Sequence, residues 1–189
     1  ASVAFGAEVD AGGGPVAAHF VHEAGGLREI YRDGQAAPAA VGGSFSGVQT
    51  WWFPALAADG TVTFYADVSG GSVASGLFQA SPAGVVTPVL LAGDAVTSPR
   101  GGTFTGFFQL AGTNANGDVV VAAFVERAPL FHPLQGIFVL EGSAQREVVY
   151  RGDAVPGTSP ERQFLGLAGN GPPALDAAGD VAFAASLED

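Results

Sequence analysis

Cysteine, methionine and lysine are all absent from the 189 residues, and each absence removes a class of chemistry. Without thiols there is no disulfide scaffold, thiolate metal site, iron–sulfur cluster or cysteine nucleophile. Without lysine there is no Schiff base and no phosphate-loop ammonium. All seven basic residues are arginine, set against 18 acids for a net charge of −11. Such a surface repels the nucleic-acid backbone and anionic membranes alike, so neither is expected as a partner. Long hydrophobic runs are missing too. The stretch 119–125 falls far short of the roughly 18 residues a spanning helix needs, and no Arg-flanked signal segment opens the chain. The start Ala1-Ser2-Val3, without Met, reads as that of a processed or excised chain.

What is plentiful is apolar and turn-forming: 48% of residues are hydrophobic, 29 are Gly and 12 are Pro. That is enough for a packed core and too little charge for disorder. Four markers recur in a fixed order. An apolar strand follows a turn at Asp59-Gly60-Thr61-Val62-Thr63-Phe64, Asn116-Gly117-Asp118-Val119-Val120-Val121 and Ala178-Gly179-Asp180-Val181-Ala182-Phe183. A small-aliphatic-Phe step occurs at Gly76-Leu77-Phe78 and Gly136-Ile137-Phe138, with Ala18-His19-Phe20 as a divergent copy. Gly34, Gly93 and Gly152 are 59 residues apart, and Phe-x-Gly starts at Phe45, Phe104 and Phe164, spaced by 59 and 60.

Aligning Val3 with Val181 makes residues 1–11 the counterpart of 179–189. The expected organisation is one repeat array over 1–189: repeats at 1–59, 60–116 and 117–178, then a surplus first strand at 179–189. Segments 3–9, 16–21, 29–31 and 45–52 are short, rich in Val and aromatics, and bounded by Gly, Pro, Asp and Asn, which is a β pattern. The expected fold is all-β, with three tandem four-stranded meander units and the extra C-terminal strand. A three-sheet prism-like barrel is the alternative.

The markers together resemble the β-propeller-like repeats of secreted bacterial proteins, which run N-x-x-G-x-V-x-F, G-I-F, x-G-D-x-x-P-G and then Phe. The matching residues are Asn114, Gly117 and Val119; Asp176, Gly179, Val181 and Phe183; Gly136 to Phe138; Gly152, Asp153, Pro156 and Gly157; and Phe164. The first repeat departs from the pattern with Gln35 in place of Asp, and Pro99 is out of step with Pro38 and Pro156. The resemblance implies a propeller-like fold and an extracellular or cell-surface setting. It carries no catalytic residues over. Three blades do not readily close a propeller, so assembly with further copies is expected.

Candidate chemistry is sparse. His19, His22 and Glu23 spell H-x-x-H-E, but positions i and i+3 of a strand face opposite ways, so zinc is not expected and a partly exposed strand pair is. His132, before Pro133, reads as a surface residue. Gly43-Ser44-Phe45-Ser46-Gly47 has Phe45 where a nucleophile elbow needs Ser. Arg151-Gly152-Asp153 spells an adhesion tripeptide, yet its sister copies assign the Gly to the repeat and the Asp to capping backbone N–H groups. Calcium would suit recurring turn aspartates such as Asp94, Asp118, Asp153, Asp176 and Asp180, but no D-x-D-x-D-G loop is present and no cofactor is expected.

The expected function is a non-enzymatic extracellular structural protein that self-assembles into a fibre or surface layer by inter-subunit β-strand addition. Val181, Phe183, Ala185 and Leu187, with Val3 and Phe5, form the candidate assembly strands. The alternative is a carbohydrate or small-ligand binding module, with or without calcium assistance, using Trp51 or Trp52 in a groove or interface.

Overall fold

The computed structural model describes residues 2–10, 12–48, 54–128, 132–158, 161–167 and 171–188. Every regular element among them is a strand, and the chain forms two compact units, Ala1–Ala92 and Gly93–Asp189.

In the first unit β1 (Val3–Asp10), β2 (Pro15–Glu23) and β3 (Gly26–Arg32) form an antiparallel meander. A second meander follows: β4 (Ser44–Ser46), β5 (Ala55–Leu56), β6 (Val62–Ser69), β7 (Ser75–Ala80) and β8 (Val86–Leu91). Its order is β4-β6-β7-β8, with β5 also on β6. The core between the two sheets is aromatic. Tyr31 stacks on Phe64 at 4.1 Å between ring centroids, and Phe45 meets Tyr31 at 5.2 Å and Phe78 at 5.1 Å, both edge-on. Burying each such ring stabilises the fold by about 1.5–3 kcal/mol. The Tyr31 hydroxyl donates to the Tyr65 carbonyl at 2.8 Å, which removes the cost of leaving a phenol unpaired in the core.

The second unit repeats the plan with β9 (Thr103–Thr113), β10 (Val119–Glu126), β11 (Leu134–Glu141) and β12 (Ala144–Tyr150) in sequential antiparallel order. The C-terminal strands are short: β13 (Phe164–Leu167) pairs with β16 (Ala185–Leu187), and β14 (Ala174–Leu175) with β15 (Val181–Ala182). All-β meanders are therefore the architecture. Each sheet is an open path, and no closed barrel occurs among the described residues.

The sequence markers have direct structural counterparts. The N–H of Gly34, Gly93 and Gly152 donates to the carbonyl of Phe45, Phe104 and Phe164 at 2.9, 2.7 and 2.8 Å. Each Phe N–H answers by donating to the carbonyl just after the Gly, in Gln35, Asp94 and Asp153. Two markers are thus halves of one reciprocal pair, which is why their spacing holds. Gln35 also keeps the capping role of the aspartate it replaces. Its Oε1 accepts from Arg32 N at 3.1 Å, as Asp153 Oδ2 accepts from Tyr150 N at 2.9 Å.

The Gly of the small-aliphatic-Phe step answers to crowding. A Cβ on Gly136 would lie 2.8 Å from Phe138 Cε2 and 2.9 Å from Tyr150 Cε1, and one on Gly76 would lie 2.6 Å from Leu91 Cδ2. One step further on, all three meanders shift register, between His19 and Phe20, Leu77 and Phe78, and Ile137 and Phe138. The unpaired bulge residues are Ile30, Val89 and Val148. Because the five-stranded sheet 44–91 and the four-stranded sheet 103–150 each open on a Phe-x-Gly strand, they straddle the sequence boundaries at 59–60 and 116–117.

Candidate functional site

The strands that follow the Asp/Asn-Gly turn are not equally supported. β6 is paired on one edge by β4 and β5 and on the other by β7, and β10 lies between β9 and β11. β1 pairs only with β2, and the C-terminal pair β15 and β16 only with β14 and β13, among the described residues. Among the described residues β1 and β16 therefore each have one edge without a strand partner, and such an edge can accept an added strand.

Side-chain faces differ between the two ends. Val181, Phe183 and Ala185 are half-buried against Val120, Ala122, Ile137 and Val139 of the β9–β12 sheet, and Phe183 meets Phe164 at 5.8 Å. Leu187 pairs opposite Phe164. The C-terminal strand is therefore seated in its own unit, and what it offers is its outer edge. In the first unit Ala4 points to the core, while Phe5 turns to the opposite face and contacts Phe20 at 5.9 Å. Val3 is 55% exposed, and Leu27 on the same face is 60% exposed. The residues equivalent to the packed Val181 and Phe183 thus sit on a face that is open at its margin.

An arginine relay ties the β2–β3 and β11–β12 hairpins each to a later turn. Arg28 donates to Glu23 Oε1 at 2.8 Å and to the Gly60 carbonyl at 3.1 Å. In the second unit Arg146 donates to Glu141 Oε1 at 2.9 Å and to the Gly179 carbonyl at 2.6 Å. Sequence reasoning missed this pair. Its signal was present, since Glu23 and Glu141, like Arg28 and Arg146, are 118 residues apart.

The other candidates fall as follows. His19 is 1% exposed and lies edge-on to the Tyr31 ring at 5.0 Å, so the expectation of a partly exposed pair is corrected for it. Gly6 lies opposite it on β1. His22 is exposed, and Glu23 is engaged by Arg28. His132 is exposed. Phe45 is core. Asp153 is engaged by Arg100 and by Tyr150 N, which leaves the Arg-Gly-Asp stretch without a free carboxylate. Asp176 Oδ1 caps Ala178 N and Asp180 N, as Asn114 Oδ1 caps Asn116 N and Asp118 N. No cluster of three His, Cys, Asp or Glu able to hold a metal occurs among the described residues. Trp51 and Trp52 lie outside the described residues.

Residues 1–132 match the model of a family of unknown function, DUF7453. The chain belongs to this family. The DUF7453 match takes in the first unit and continues through β10. No curated protein and no solved structure matches the chain. No helix is long and apolar enough to cross a membrane among the described residues.

Proposed function

We propose that this chain is a non-enzymatic, extracellular structural protein whose copies join head to tail by β-strand addition. The outer edge of β16 in one copy pairs antiparallel with β1 of the next, so that a sheet begun by β13 and β16 continues into β1, β2 and β3. The observation that carries this reading is that, among the described residues, β1 and β16 are each paired on one edge while β6 and β10 are paired on both.

The faces agree with it. The register we propose puts Val3 and Phe5 on the same side as Ala185 and Leu187, beside an apolar core instead of water. Two different surfaces meet in this contact, and a heterologous contact that does not close propagates as a filament. The extracellular, propeller-like setting rests on the repeat resemblance. A net charge of −11 opposes the approach of two copies, so the union has to draw on backbone hydrogen bonds and apolar burial.

The test is the mass of the purified chain by light scattering across a wide concentration range, with negative-stain microscopy of the same samples. Mass that climbs with concentration, and linear particles, are the expected result. A particle that stays monomeric at every concentration would contradict the proposal.

A further inference from the structure

Of the seven arginines in a chain of net charge −11, three line one cavity. Arg100, Arg127 and Arg151 line an open surface cavity of about 590 Å³ at one end of the β9–β12 sheet, together with Pro99, Leu134 and Tyr150. The cavity draws on the loop before β9, the end of β10, the start of β11 and the turn after β12. It lies within the second unit, on residues distinct from the two open edges.

The three guanidinium groups differ in state. Arg100 is held: its Nε bridges Glu147 at 2.9 Å, one terminal nitrogen bridges Asp153 at 2.6 Å, and the group lies 5.0 Å over the Tyr150 ring. Asp153 is itself fixed by the Tyr150 N–H. Arg127 is half-buried, Arg151 is exposed, and neither has an ion pair or a side-chain hydrogen bond among the described residues. Two unpaired guanidinium groups facing one cavity are unusual where acids outnumber bases so heavily. The same turn in the first unit, around Arg32, Asp33, Gly34 and Gln35, also forms a cavity, but with a single arginine that pairs with Glu29 at 3.6 Å.

We infer that this cavity is a binding site for a carboxylate-bearing ligand, with Arg127 and Arg151 as the groups that grip it and Arg100 as a fixed wall. The planar guanidinium fork matches a carboxylate in bidentate fashion. Counting Glu147 and Asp153 against the three arginines leaves a local excess of one positive charge. That excess suits a singly charged carboxylate better than a doubly charged phosphate. There is also no lysine anywhere in the chain to act as a phosphate point charge. The carboxylate could come from a free organic acid or from the uronic-acid units of a polysaccharide, and the two sources share this chemistry.

Calorimetric titration of the intact chain at low salt, with lactate, a galacturonic-acid oligomer and inorganic phosphate as separate probes, decides the matter. Binding of lactate or the oligomer that weakens with added salt supports the site, and the tighter of the two names the source. Arg127→Gln and Arg151→Gln should each weaken that binding by about tenfold, the loss of one charge-assisted contact. Arg32→Gln should leave it unchanged. Neither Arg127 nor Arg151 holds an ion pair among the described residues, so both variants should keep the near-UV spectrum of the parent chain. Absence of binding by either acid, phosphate binding as tight as theirs, or indifference to both substitutions would each overturn the inference. A chain whose β1 edge is blocked by Val3→Lys and Ala7→Lys should bind the acid as the parent does, so the site stands or falls apart from strand pairing.

Discussion

Arg146 donates to the carbonyl of Gly179 at 2.6 Å, and through this contact the β11–β12 hairpin holds the turn that launches the C-terminal strand. Arg28 does the same for Gly60 at 3.1 Å and adds the Ser81 carbonyl at 3.3 Å. Thr87 stands at the corresponding place in the middle repeat, so the relay skips the turn at Gly117. Replacing Arg28 by Ala should cost about 2 kcal/mol, because it is the more enclosed arginine and makes three contacts. Arg146→Ala should cost about 1 kcal/mol, discounted for its exposure. Urea unfolding measures both. Hydrogen exchange should also quicken in 181–188 for Arg146→Ala and not for Arg28→Ala.

Two kinds of glycine should respond differently to substitution. Gly93 has φ of +102° and open space around it, so Gly93→Ala carries only a backbone penalty, about 1 kcal/mol. Gly136→Ala must displace the Phe138 and Tyr150 rings and should cost about 3 kcal/mol, the upper range for overpacking. If the two variants melt together, the distinction between conformation and crowding is wrong.

Alkaline titration reads the core. Burial raises Tyr31 and Tyr150 above the ordinary phenol value, and burial followed by the hydrogen bond to Asp67 pushes Tyr65 up to about 12. The folded chain therefore holds protons that the unfolded chain releases near pH 10. Stability should be intact below about pH 10 and should fall as the pH rises towards 12. Absorbance at 295 nm should show no tyrosinate step near pH 10 while the chain is folded, and its rise should coincide with loss of near-UV signal. A step at pH 10 in the folded chain would contradict the burial of these rings.

The repeat was legible where a backbone need fixes a residue type. The reciprocal bonds between Gly93 and Phe104, and their copies, require a positive-φ glycine and a core ring at fixed spacing, so sequence periodicity found both. The bulges at Ile30, Val89 and Val148 were invisible, because an extra strand residue is still an ordinary apolar residue. The relay of Arg28 and Arg146 was missed because a surface-type residue on a hairpin carries no local sign of its distant carbonyl acceptor. The C-terminal stretch 179–189 was read as an extra strand matching residues 1–11. Sequence alone could not say that Phe183 packs on its own unit's core and that the outer edge is what stays open.

Ionic strength gives an independent handle on assembly. Copies carrying a net charge of −11 repel one another, and raising salt from about 0.01 to 0.15 M shortens the Debye length from about 30 to 8 Å. Self-association should therefore strengthen with added salt, as measured by sedimentation velocity. Dissociation on adding salt would point to a contact made of ion pairs.

The most direct test of head-to-tail pairing mixes two chains, each blocked at one edge: Val3→Lys with Ala7→Lys on β1, and Ala184→Lys with Ser186→Lys beside β16. Lysine at these positions opposes edge pairing. Measured by sedimentation equilibrium, each blocked chain alone should remain a monomer, and an equimolar mixture should form a one-to-one dimer that grows no further. Either blocked chain assembling by itself, or a mixture that stays monomeric while the parent chain grows, would contradict the pairing of β16 with β1.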